Sequence, residues 1–175
     1  MSEKEQGKYD VEIIAGSSSD FEAIEKSELM DILNACGVTW RLSSLSAHRN
    51  PYDLDRFVQL SKETAKVFIG IAGMAAALPG TIAAHARTKP VIGVALSSDI
   101  LDGMDAAFAI SRMPSGVPVA FTGWNKTGLY NAGILAVQMI AAVGSHELQG
   151  KLLAHNMKTD KPPKIGYKTS DTGGA

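Results

Sequence analysis

The chain reads as an α/β domain built on a parallel sheet. Three observations predict it. Short apolar segments rich in β-branched residues recur at 11–15, 40–45, 67–71, 91–96 and 117–121; stretches of helical spacing lie between them; and the third segment, Val67-Phe68-Ile69-Gly70-Ile71, is apolar throughout, as a strand buried on both faces must be. With 175 residues and 45% hydrophobic content, the chain suits one domain with a sizeable core. The expected organisation is a polar N-terminal segment at 1–10, the α/β domain at 11–156 and a polar C-terminal tail at 157–175, where Lys, Pro, Gly, Ser, Thr and Asp dominate.

The first strand, Val11 to Ala15, is interrupted only by Glu12 and stops at Gly16-Ser17-Ser18-Ser19-Asp20. Ser19 and Glu22 have the spacing of a capping box, and Ile24, Leu29, Ile32, Leu33 and Cys36 recur at near-helical intervals before Gly37. One helix over 20–36 is therefore expected. The second strand ends in the polar turn Ser46-Ala47-His48-Arg49-Asn50, after which Asn50 and Pro51 read as an N-cap and first-turn proline. Leu54, Phe57, Val58 and Ser61 define the buried face of that helix. The third strand runs into Ala72-Gly73-Met74-Ala75-Ala76-Ala77-Leu78-Pro79-Gly80, which either opens a tightly packed helix or forms a loop that Gly80 lets move as a lid. Further helices are expected at 104–111, 129–143 and 146–155, and Pro118 makes the last strand begin late or lie at an edge.

Charge and composition exclude several classes. Seventeen Lys+Arg against eighteen Asp+Glu leave a net charge of -1, so no basic field for nucleic acid exists. No stretch approaches the ~18 apolar residues of a membrane span, and no secretory leader pattern precedes Val11. The single cysteine, Cys36, has no disulfide partner and reads as a small buried apolar group. A cytoplasmic location is expected.

In a parallel sheet the turns after successive strands emerge along one edge, so the three unusual segments should meet there. The hydroxyls and N–H groups of Ser17, Ser18 and Ser19 form a cradle for a phosphate monoester, or simply cap a helix, with Gly16 permitting a tight turn. Neither triphosphate nor dinucleotide spacing of glycines is present. Asp20 suits ribose hydroxyls rather than a phosphate, and Arg49 supplies the fork that anionic oxygens need. His48 carries an imidazole, the side chain best suited to both give and take a proton, and stands alone among the histidines in lying in one of these turns. His85, His146 and His155 fall in expected helices at wide spacing, which leaves a metal site without support.

Gly16-Ser-Ser-Ser-Asp20, Ser46-Ala-His-Arg49, the run from Ala72 to Gly80 and Met113-Pro-Ser-Gly-Val-Pro118 together resemble the PurE family of purine biosynthesis, in the family's order over about residues 10 to 155. The resemblance implies a three-layer α/β/α, flavodoxin-like doubly wound parallel sheet, assembled as a homo-octamer with sites at subunit junctions. It implies one of two activities. These are the interconversion of N5-carboxyaminoimidazole ribonucleotide and 4-carboxy-5-aminoimidazole ribonucleotide, or direct carboxylation of aminoimidazole ribonucleotide with CO2. By resemblance His48 is the catalytic acid and base. The ribonucleotide is held by Gly16, Ser17, Ser19, Asp20, Ser46, Ala47 and Arg49 together with Gly73, Met74, Ala75, Ala76 and Leu78. No metal, nucleoside triphosphate or organic cofactor is implied, and neither nucleic acid nor a membrane is a partner. Two departures stand out: Met74 replaces a glycine and Ala77 a histidine that mutases of the family carry in this loop. Arg49 and Pro79 follow the mutase class, whereas Arg112 resembles the direct carboxylases. A noncatalytic ribonucleotide-binding module and a flavin-phosphate electron carrier are the alternatives from other classes.

Overall fold

A computed structural model describes residues 8–98 and 101–159. Among them, five parallel strands, β1 (Val11–Ala15), β2 (Trp40–Ser44), β3 (Val67–Gly73), β4 (Val91–Leu96) and β5 (Ala120–Trp124), stand in the order β2-β1-β3-β4-β5. The helices are α1 (Phe21–Glu25), α2 (Glu28–Cys36), α3 (Pro51–Ser61), α4 (Leu78–Ala86), α5 (Met104–Ser111), α6 (Asn125–Ala141) and α7 (His146–Thr159). Residues 1–7 of the polar N-terminal segment and 160–175 of the tail lie outside the described residues.

The pleat divides the core in two. On one face Val11, Ile13, Ile69, Ile71, Ile92 and Val94 pack under α2, α6 and α7; on the other Ile14, Phe68, Ala72, Val91 and Ala95 pack under α3, α4 and α5. The expected three-layer, flavodoxin-like arrangement is the one observed, and β3, central in the order, is buried through Ala72.

Several boundaries differ from the expectations for identifiable reasons. The helix expected over 20–36 is two helices after a 3-10 turn at Ser18–Asp20. Ser27 breaks it: its backbone is extended (φ -88°, ψ 156°) and its hydroxyl donates to the Ile24 carbonyl at 2.6 Å. The capping box does not form, because Glu22 pairs with Lys26 at 2.6 Å and the Ser19 hydroxyl turns to Asp20. Asn50 does precede α3, yet its side chain makes no cap bond. Gly37 ends α2 as expected in the left-handed region at φ 70°. Pro118 delays β5 to Ala120, and β5 is the edge strand next to β4. Helix α6 begins earlier than expected, at Asn125, and α7 carries on to Thr159, past the expected start of the tail at Met157.

One polar interaction lies inside the sheet. Glu12 on β1 is 0% exposed and sits in register opposite Arg41 on β2. Arg41 donates to both carboxylate oxygens, Nε at 2.9 Å and Nη2 at 2.7 Å; Nη2 also reaches the Ser61 hydroxyl at 3.0 Å, and the guanidinium lies 4.6 Å from the Phe57 ring centroid. This bidentate pairing is what a buried carboxylate requires. Burial pushes the Glu12 carboxyl above its usual 4.5, against the downward pull of Arg41 and Ser61. The folded chain therefore holds this proton more tightly than the unfolded chain, and Glu12's contribution to stability declines as pH rises through its folded value.

Two outcomes follow for denaturant unfolding. Arg41→Leu should lose about 3 kcal/mol or more at neutral pH, because it strands a buried carboxylate. The stability of wild type relative to Glu12→Gln should fall as pH rises above the usual carboxylate value of 4.5; a difference that rises with pH would contradict the assignment.

Candidate active site

The strand order reverses direction at β1: the chain leaves β1 for β2 on one side and returns to β3 on the other. Loops diverge at such a point and leave a crevice at the carboxyl ends of the strands. A cleft of about 570 Å³ lies there. Gly16, Ser17, Ser19 and Asp20 line it after β1, Ser46, Ala47, His48 and Arg49 after β2, and Gly73, Met74, Ala75, Ala76 and Leu78 after β3. The residues expected to hold the ribonucleotide, together with His48, meet at this one cleft, whereas Ser18 of the serine turn does not line it.

Local hydrogen bonds shape each wall. The Ser46 hydroxyl oxygen accepts from the backbone N–H of His48 at 3.3 Å and of Arg49 at 3.2 Å, while its carbonyl accepts from Asn50 at 2.9 Å. Ser46 thus folds the turn that presents the next residues, as serine does at turns, and its O–H remains a donor toward a ligand. His48 and Arg49 are exposed, and the Arg49 guanidinium reaches the Gly16 carbonyl at 3.4 Å, which ties the second turn to the first. In the first turn the Ser17 and Ser19 hydroxyls are 2.8 Å apart, and Ser17 Oγ accepts from the Ser19 N–H at 3.3 Å. The Ser19 hydroxyl donates to Asp20 at 3.3 Å.

This geometry corrects four expectations. The serine turn opens a 3-10 turn and a five-residue helix rather than a long one, and one N–H of the supposed cradle is already engaged by Ser17. The site's positive charge therefore comes chiefly from Arg49. Gly16 is not demanded by the turn: its φ is not left-handed, and a Cβ there would make ordinary contacts of 3.7–3.9 Å with Ile71, Ala72 and Leu78. Gly80 is no lid hinge. It lies inside α4, where a Cβ would come within 2.9 Å of Met113 Cε, so its smallness serves packing. The alanines precede that helix rather than begin it, with Ala77 at the N-cap and the Ala76 N–H bonded to the Gly73 carbonyl at 3.1 Å.

Ala72 and Ala77 of the glycine- and alanine-rich run also line the cleft, and Leu96, Ser97 and Ser98, which were not singled out from the sequence, complete it. A signal existed for the last three, since β4 points to the same edge and ends in a serine pair. His85 lies apart, 2.9 Å from Asp55, and among the described residues no cluster of His, Cys, Asp and Glu could hold a metal ion.

A family model for AIR carboxylase matches residues 10–161. The chain belongs to this family. The N5-carboxyaminoimidazole ribonucleotide mutase of Bacillus subtilis is 44% identical over 133 residues, 75% of this chain and 80% of that protein. The mutase of Methanocaldococcus jannaschii is 41% identical over 149 residues, covering 85% and 89%. The crystal structure of Treponema denticola PurE superposes with a TM-score of 0.73 at 25% identity, over 85% of this chain and 90% of that one. AIR carboxylase family membership thus agrees with the doubly wound sheet and the position of the cleft.

Met74 is the strained point of the site, with φ 54° and 67% exposure. A non-glycine residue pays ~1–2 kcal/mol for that conformation, and little apolar burial is lost on truncation. Met74→Gly should raise stability to urea by about 0.5–1 kcal/mol; a loss would show that the thioether anchors the loop.

Proposed function

We propose that the protein is an N5-carboxyaminoimidazole ribonucleotide mutase. It converts N5-carboxyaminoimidazole ribonucleotide to 4-carboxy-5-aminoimidazole ribonucleotide on the route to IMP. The observation that carries this reading is the meeting of His48 and Arg49 with Ser17, Ser19 and Asp20 at one cleft, in a chain whose relatives bear the mutase name.

The chemistry follows from these groups. Arg49, with the serine hydroxyls, holds anionic oxygens of the ribonucleotide through charge-assisted hydrogen bonds. Asp20 accepts hydrogen bonds from ribose hydroxyls. The Ala75-Ala76 wall approaches the flat heterocycle without polar side chains. His48, protonated, gives its proton to the exocyclic nitrogen as the N–C bond of the carbamate breaks and CO2 departs. C4 of the electron-rich imidazole then attacks CO2 within the cleft, and neutral His48 removes the C4 proton to restore the aromatic ring. The imidazole thereby ends as it began, and no redox partner is required. A group with a reference pKa near 6.5 suits a task that both gives and takes a proton. Ala77 supplies no second imidazole, so His48 is the imidazole among the cleft residues.

CO2 is thus an intermediate held in the cleft. The working assembly in this reading is a cytoplasmic homo-octamer whose subunits meet near the sites. Supporting it, Leu101, Met104, Phe108 and Trp124 are exposed apolar groups on or beside α5 and β5, and no described helix is long and apolar enough to cross a membrane.

Turnover of the N-carboxylated ribonucleotide, followed by formation of the C4 product, tests the assignment. Wild type should convert it without added bicarbonate. His48→Asn should lower kcat by at least ~100-fold while binding of aminoimidazole ribonucleotide stays within about threefold. Product from aminoimidazole ribonucleotide and bicarbonate alone would instead mark a direct carboxylase, and no product from either would refute the enzyme reading.

A further inference from the structure

The fourth wall of the cleft is held by a residue outside it. Ser97 and Ser98 follow β4 and line the cleft at the end away from His48, because β4 is separated from β2 by β1 and β3. Three interstrand spacings of ~4.8 Å place these walls about 14 Å apart. Ser97 and Ser98 stand outside the ladder of β4, so something else must fix them. Asn125, the first residue of α6, does so from both sides of its amide: Oδ1 accepts from the Ser97 N–H at 2.9 Å, and Nδ2 donates to the Ser97 hydroxyl oxygen at 2.7 Å. The Ser97 hydroxyl in turn donates to the Asp102 carbonyl at 3.3 Å. Next to this, the Trp124 indole N–H donates to the Gly103 carbonyl at 3.1 Å, and Gly103 packs so closely that a Cβ would come within 3.0 Å of Ser97 Cα.

Two features indicate that this clamp has a use beyond helix capping. Asn125 sits at φ 47°, a left-handed conformation that asparagine tolerates better than other side-chain-bearing residues. The residue before α6, Trp124, makes no side-chain cap bond, and Asn125 directs its amide to Ser97 instead. A residue in a costly conformation that directs both amide groups at a cleft-lining residue is arranged for that residue.

We propose that Asn125 is a positioning residue of the active site, which sets the Ser97 wall of the cleft and so the affinity for the ribonucleotide. The inference rests on the mutase reading for the identity of the ligand. Asn125 touches no reacting atom; it acts through Ser97. A wall that contacts the ribonucleotide equally in the ground state and the transition state affects binding alone, so loss of the clamp weakens binding and leaves the chemical step unchanged.

Asn125→Gly is the clean variant, since glycine accepts the left-handed backbone and deletes only the amide. Its KM for N5-carboxyaminoimidazole ribonucleotide should rise about five- to tenfold, as expected for two lost hydrogen bonds, with kcat within about twofold. Ser97→Ala should raise KM less. The double variant should fall short of the product of the single effects, because both act on one contact. An unchanged KM, an equal fall in kcat, or strictly multiplicative effects would overturn the inference. Calorimetric titration with aminoimidazole ribonucleotide separates it from the activity itself. If wild type binds this ligand but turns over neither substrate, the mutase reading fails and the dissociation constants of the variants alone decide the clamp; wild type that does not bind it overturns both.

Discussion

The contact on which the rest of the structure depends is the buried pairing of Glu12 with Arg41. Side chains alternate along a strand, so a slip of one residue between β1 and β2 would turn Arg41 to the other face and leave Glu12 without a partner. Apolar residues alone would penalise such a slip only by degrees. A buried carboxylate that accepts two bonds from one guanidinium penalises it by several kcal/mol. The register it fixes carries forward: Ala15 pairs with Ser44, the Leu45 N–H meets the Ala15 carbonyl at 3.0 Å, and the His48 turn begins at a set height beside Gly16. Arg49 then reaches the Gly16 carbonyl. The pair's cost in desolvation is the cost of a defined edge.

From that edge the cleft follows by topology. Strand β1 has β2 on one flank and β3 on the other, and the loops that leave them part over β1. Close packing sets the floor, since a Cβ on Gly73 would come within 3.1 Å of the Leu96 carbonyl. The walls are made by side chains that bind one another: Ser17 with Ser19, Ser46 with the N–H groups ahead of it, Asn125 with Ser97. The cleft is therefore largely formed before a ligand enters, which reduces the ordering that binding demands.

Much of this was legible in the sequence, for reasons that differ by element. Buried parallel strands announce themselves as apolar runs, and Val67–Ile71 and Val91–Leu96 could hardly be anything else. Most of the residues that line the cleft could be picked out because the turns after β1, β2 and β3 carry polar or glycine-rich sequences at one predictable edge. What escaped was decided by nonlocal contacts. Glu12 looked like a flaw in a strand because its partner is 29 residues away. The break at Ser27 depends on one hydroxyl choosing a carbonyl over solvent. Gly16 and Gly80 were given turn and hinge roles, whereas packing explains Gly80 and ordinary space surrounds Gly16. Ser97 and Ser98 were passed over because a bare serine pair carries little chemistry by itself, and Asn125, which holds it, lies 28 residues further on.

The central claim is that the cleft at the ends of β1, β2, β3 and β4 takes a ribonucleotide with its reacting ring against His48. A crystal structure with 4-carboxy-5-aminoimidazole ribonucleotide bound tests it most directly. The account predicts phosphate oxygens within hydrogen-bond distance of Arg49 and the serine turn, ribose hydroxyls on Asp20, and C4 with its carboxylate facing the His48 imidazole. A ligand seated instead in the groove of about 440 Å³ beside Lys66 and Lys151, at the other end of the sheet, would contradict it.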